Sequence, residues 1–252
     1  MRAPRRILRG GSVKKTGSIP AARGRKSGKD TMERHFERDL QELKDKLLWM
    51  GTLAEQAVHR AVHAVLDSEP KLAEAVLEEE DVINELQIEI DDRVVQLLAL
   101  HQLMAVDLRL VLAVSRINND LERIGDQAVN IAQSAQRILR HPRVKPYVDL
   151  PRMSELAEGM VRDALTAVVQ RDVELAQKIL RTDDEVDRLR DQMFRELLNY
   201  MMGDSAVVFP AFELILVVKN LERIGDHATN IAEDVIYIVA GQDVRHPTVD
   251  RR

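Results

Sequence analysis

Residues 120–132 read DLERIGDQAVNIA, and residues 220–232 read NLERIGDHATNIA. Ten of the thirteen positions are identical, at a constant offset of 100. A match of that length inside one chain marks an internal duplication, and the repeat frames every other reading of the sequence. Both copies have the pattern of a helix. On a wheel of about 100° per residue, Leu121, Ile124, Gly125, Ala128, Ile131 and Ala132 fall on one apolar, mostly small face. Gly125 costs about 1 kcal/mol against Ala in a helix interior. Close approach of a neighbouring helix to that face is the compensation the pattern predicts.

The carboxylates lie beside the apolar face. Glu122 and Asp126 are four residues apart, hence one turn apart on the same side. Asn119, Asn130 and Gln133 extend them into a polar stripe; the second copy presents Lys219, Glu222, Asp226, Asn230 and Glu233. Like charges at this spacing repel by about 0.2–0.5 kcal/mol on an exposed helix. Either nearby arginines such as Arg123 and Arg223 offset that in an ordinary solvated stripe, or a cation does. The recurrence of Glu-x-x-x-Asp in both copies favours the cation.

Working outward, the chain from Glu33 onward is helical in pattern. Phe36, Leu40, Leu43, Leu47, Met50, Leu53 and Ala57 recur at spacings of three and four. This first helix runs to about Asp67, and Pro70 starts a second, over about 70–100. A third reaches about Arg140 and carries the first signature. HPRVKPYVDLP, at 141–151, is punctuated by prolines and reads as a linker over 142–150. The second half then replays the first. Residues 53–77 align with 156–180 without a gap at an offset of 103, and a turn three residues shorter near 203–205 reduces the offset to 100. The predicted fold is all-α: two tandem three-helix bundles, over 32–141 and 151–241, packed with approximate two-fold symmetry. Residues 242–252 read as a frayed end.

Helices two and five hold aligned polar pairs, Glu80 with Asn84 and Asp183 with Asp187, flanking their buried stripes. Each bundle can bring such a pair opposite a signature pair: Glu80, Asn84, Glu122 and Asp126 in the first, Asp183, Asp187, Glu222 and Asp226 in the second. Asn130, Asn230 and Glu233 are secondary candidates. Carboxylate oxygens suit hard cations, so iron, manganese and magnesium all fit.

Composition narrows the function. Aromatic residues are 3% of the chain and cysteine is absent, so disulfides and thiolate metal sites are excluded. No apolar run is long enough to span a membrane. Of 37 Lys and Arg, ten lie in residues 1–31, with one acid beside them, in a Gly-, Ser- and Pro-rich segment expected to be a disordered tail. Met32 is an alternative start. The remainder carries 27 basic against 41 acidic residues, which argues against nucleic acid as its main partner. A ferritin-like di-metal oxidase needs Glu-x-x-His on two helices, and no glutamate here has a histidine three residues on. No Ser-His-Asp order and no glycine-rich phosphate loop is present.

The paired signatures, the opening MERHFERDLQELKDKLLWMG at 32–51 and AVDLRLVLA at 105–113 resemble the PhoU family of phosphate-uptake regulators. The resemblance covers about 32–241. It implies a six-helix, two-repeat cytoplasmic protein, usually a homodimer, without enzymatic activity. It implies a negative regulator of the phosphate-starvation response, acting between a phosphate ABC transporter and a membrane-bound sensor histidine kinase. Any membrane association would run through those partners. It further implies multinuclear iron or zinc on the paired acidic motifs, which here map onto Glu122, Asp126, Glu222, Asp226, Asp183 and Asp187. Asn84 departs from that pattern and predicts a weaker first site. The alternative is a carboxylate-bridged metalloenzyme on a helical bundle.

Overall fold

The computed structural model describes residues 26–144, 147–242 and 244, with side chains from His35 onward. Six helices follow one another: α1 Lys26–Leu66, α2 Pro70–Leu100, α3 Ala105–Ile138, α4 Leu150–Gln170, α5 Val173–Gly203 and α6 Val208–Ala240. A 3-10 turn, Ser205–Val207, leads into α6. No strand occurs among the described residues. The chain is all-α, as its periodicity predicts.

One boundary differs. α1 begins at Lys26, so residues 26–31, expected in the disordered tail, are helical. No proline interrupts Lys26–Glu33, and Gly28 alone costs only about 1 kcal/mol. A helix anchored further along extends through such a stretch easily, because propagation is cheap once nucleation is complete. The rest of the tail, residues 1–25, lies outside the described residues, as do Lys145 and Pro146 of the linker and 243 and 245–252 of the expected frayed end. α6 stops where Gly241 takes a left-handed conformation, φ 68°.

The duplication is visible in the backbone as well as in the side chains. Ser68 ends α1 and Arg171 ends α4, at aligned positions, and both adopt left-handed φ, 59° and 54°. Such φ is uncommon outside glycine, so its recurrence at the same place in both turns shows one shared turn geometry. Buried stripes follow the helical period: Val76, Ile83, Leu86, Ile90, Val94 and Leu97 of α2 are in the core. Leu72 is only half-buried, and Ala73 takes the core position instead.

α3 and α6, the signature helices, form the centre. Half of α3 is buried, 17 of its 34 residues, whereas α2 buries only seven of 31; α3 is therefore covered on more than one side. The contacts between α3 and α6 run antiparallel: Arg116 meets Asp234, Asp120 meets Asn230, and Arg137 meets Glu213. α1 and α4 also cross antiparallel, and here the two-fold is explicit. Glu55 of the first repeat binds Arg162, while Glu158, its equivalent in the second, binds His59, the equivalent of Arg162. Gly51 on α1 makes room for Leu165 of α4 at the same crossing.

Candidate functional site

The close approach predicted for the signature glycines is made by the preceding helix of each repeat. A Cβ on Gly125 would stand 3.2 Å from Ile83 Cδ1 of α2. A Cβ on Gly225 would stand 3.2 Å from Asp183 Oδ1 of α5. The glycines thus draw α2 onto α3 and α5 onto α6, which brings the acidic pairs of neighbouring helices together.

In the first repeat Glu80, Asn84, Glu122 and Asp126 line one narrow pocket, of ≈ 10 Å³, about the room of a single water or ion. All four sequence candidates are therefore neighbours. Glu79, not among the candidates, joins them; its carboxylate is held by Arg60. Arg123 pairs with both Glu122 (3.3 Å) and Asp126 (3.0 Å). Burial, then the Asp126 charge, raises the pKa of Glu122, while Arg123 and His227 oppose that.

In the second repeat the carboxylates are more crowded. Asp183 is pushed up from 3.8 to about 6, first by burial and then by the charges of Asp226, Asp187, Asp184 and Glu222. Asp226 is raised as well, by burial and then by Glu222 and Asp187. The charges of Asp187, Glu222 and Asp226 thus reach Asp183, and exposed Asp184 adds to them. Arg190 enters this set: it pairs with Glu222 and, at 2.9 Å, with Asp187. The aligned residue in the first repeat is Gln87, which binds Asn119 instead. Each set thus has an arginine, from α3 in the first repeat and from α5 in the second.

The secondary candidates lie differently. Asn230 donates to Asp120 Oδ1 at 3.0 Å, across the repeats. His227 Nδ1 lies 2.9 Å from the same oxygen. Asn130 is exposed on α3. Glu233 is two turns beyond Asp226, about 10 Å along α6. Helical periodicity does not reveal the Asp120 contact, although a signal for it exists. The copies differ at three signature positions, and Asp120 and His227 occupy two of them; their equivalents, Asn220 and Gln127, are both buried.

Among the described residues, no group of three or more His, Asp or Glu side chains is arranged around one point as a metal shell. The donor chemistry nevertheless fits a hard cation: clustered, partly buried oxygen ligands, with Asp183 and Asp226 raised by burial and neighbouring carboxylates. Asp183, Asp187, Glu222 and Asp226 would hold it in the second repeat, and Glu80, Glu122 and Asp126 with the Asn84 carbonyl in the first. A bound cation would supply the positive charge that the arginines now provide. Glu222 and Asp187 would first have to exchange Arg190 for it.

The fold defines a class: all-α proteins of six helices in two repeats, here with one acidic set between the second and third helix of each repeat. The PhoU domain profile matches residues 47–135 and 150–235. The chain belongs to the PhoU family. It is 40% identical over 223 residues to the phosphate-specific transport system accessory protein PhoU homolog of Pseudomonas aeruginosa, covering 86% of this chain and 92% of that protein. The crystal structure of PhoU from Pseudomonas aeruginosa superimposes with a TM-score of 0.79 at 40% identity, covering 82% of this chain and 100% of the other. The phosphate transport system regulatory protein PhoU from Streptococcus pneumoniae gives 0.76 at 27% identity, covering 84% and 100%. Among the described residues no helix is long and apolar enough to cross a membrane.

Proposed function

We propose that this chain is a cytoplasmic negative regulator of the phosphate-starvation response, an adaptor between the ATPase of a phosphate ABC transporter and a sensor histidine kinase. It works as a homodimer and without catalysis of its own. One observation carries the reading: the relatives that share both repeats over most of this chain are named as accessory proteins of phosphate-specific transport. The geometry is compatible with it, since extended helical faces surround the symmetric centre and offer broad surfaces to protein partners. Deleting the gene is expected to leave phosphate-starvation genes expressed in phosphate-rich medium, read by transcript levels. Normal repression in a strain without a paralogue overturns the reading.

The acidic sets take up metal cations on their oxygen ligands, iron or zinc, with manganese and magnesium as further candidates. Affinity for such ions rises with ligand charge, and Asn84 leaves the first set one charge short. The second-repeat site therefore fills first. E222Q/D226N removes more bound metal than E122Q/D126N, read by elemental analysis of protein purified without chelator. Equal loss from the two variants rejects the asymmetry. A wild type that carries no metal and gains no melting temperature from added ions rejects the site.

A further inference from the structure

Three of the four phenylalanines, Phe194, Phe209 and Phe212, are exposed, and all three lie on the α5–α6 hairpin. Around its turn Tyr200, Met202 and Val208 are exposed too, Met202 at 80%. In a chain with so few aromatic residues this concentrates exposed apolar side chains on one hairpin, Phe194 beside Ile215 and Val218 and the others nearer the turn, and exposed apolar surface of this kind marks interaction sites. It is not a consequence of the duplication. The first-repeat equivalents of Phe194, Phe209 and Phe212 are Asp91, Arg109 and Leu112.

The neighbouring charge is positive. Phe209 packs on His141, ring centroids 4.9 Å apart, which places the start of the α3–α4 connection beside the patch. Arg140 and Arg143 are exposed on that side and Arg195 is exposed on α5 next to Phe194, and none makes an ion pair among the described residues; Arg143 donates to Leu66 O and Ser68 Oγ and stacks on Tyr147. The local acids are engaged: Glu213 is held by Arg137, Asp204 caps the 3-10 turn, and Glu196 accepts from Gln192. The surface is also hollowed. One depression of ≈ 420 Å³ is lined by Arg195, Leu198, Asn199, Met201 and Met202, and another of ≈ 310 Å³ lies at His141, Arg143 and Tyr147.

We propose that the α5–α6 tip, with the adjoining basic α3–α4 connection, is a docking surface for an acidic amphipathic helix of a protein partner. Charge complementarity selects an acidic segment, and the aromatic patch takes its apolar face. The hollows favour inserted side chains over a lipid surface, and the acidic remainder of the fold repels an anionic membrane. The turn end of this surface is remote from the acidic sets, Leu198 lying about 16 Å along α5 from Asp187, whereas Phe194 shares a hollow with Arg190 and Glu222 of the second set. The proposal rests on exposure, charge and hollows at this tip and not on the regulatory reading above.

The test titrates the full chain into a fluorescein-labelled 20-residue helical peptide, with glutamates on one face and leucine and phenylalanine on the other. A lysine-for-glutamate version is the control. The glutamate peptide should bind at least tenfold more tightly than the lysine peptide. R140E/R195E and F209S/F212S should each weaken it at least tenfold, and R140E/R195E should leave the melting temperature unchanged. Equal binding of both peptides overturns the proposal. So does binding to phosphatidylglycerol vesicles without peptide binding, which would make the tip a membrane contact. Self-association of the chain that F209S/F212S abolishes overturns it too, by making the tip a contact between copies.

Discussion

Asp183 holds its proton well above the ordinary carboxylate range because its position is half buried and four further carboxylates crowd it. Between 3.8 and about 6 the folded protein keeps a proton there that the unfolded chain has released. Stability of the metal-free protein therefore falls as pH rises through that window and levels off above it. Asp183→Asn removes the penalty. We expect a gain of about 1 kcal/mol at pH 7 and none at pH 3.5, read by urea denaturation in chelator; the full shift would imply about 3 kcal/mol, but solvent screens a half-exposed group. The glycines give a second comparison. A methyl group added at Gly159 would have nothing within 4 Å, so Gly159→Ala should stabilise by about 0.5–1 kcal/mol through helix propensity. Gly125→Ala meets Ile83 at 3.2 and 3.4 Å, against a branched side chain with little freedom to move. Its effect should be destabilising, by about 1 kcal/mol, in the same assay.

At the scale of the elements, the joint between α3 and α6 is unusually polar for its depth. Glu213 is 4% exposed and is held by Arg137 Nε at 2.8 Å. Asp234 is 1% exposed and faces Arg116 at 2.9 Å. The aligned residues of the other repeat are Ala113 and Ser134, so these pairs break the two-fold symmetry. They allow one register of α3 on α6 and disfavour its mirror. Arg137→Ala leaves the Glu213 carboxylate buried without its partner and should cost about 3 kcal/mol. Arg137→Met with Glu213→Leu should recover most of that loss, because two apolar groups need no pairing. Urea denaturation of the single and double variants checks both expectations.

For the whole molecule, the core is shared between the repeats. α3 and α6 each bury 17 residues, and part of each buried face is covered only by the other repeat. A fragment of residues 26–144 therefore exposes a broad apolar face of α3. We expect it to aggregate or to pair with itself in sedimentation velocity, whereas the full chain melts in one cooperative transition. Two separate transitions in the full chain would show that each repeat folds alone.

The sequence by itself determined the helices, the duplication and which candidate acidic residues stand on facing helices, though not Glu79, Asp184 or Arg190, which join them. What it determined depends on local periodicity and on a repeat offset, and both can be read without knowing how helices cross. Glu80, Asn84, Glu122 and Asp126 share a pocket because a helical wheel and a short loop already put them on facing sides. Asp183, Asp187, Glu222 and Asp226 follow by the repeat. What only the tertiary structure decided is how distant segments meet. Arg190 against Glu222, Asp120 against His227 and Glu213 against Arg137 join residues 32 to 107 positions apart. Their pairing depends on the crossing of long helices, where one residue of slip along an axis moves a side chain about 1.5 Å and turns it about 100°. A periodic pattern identifies the buried face of each helix, but the depth at which two such faces engage is set by packing among all six.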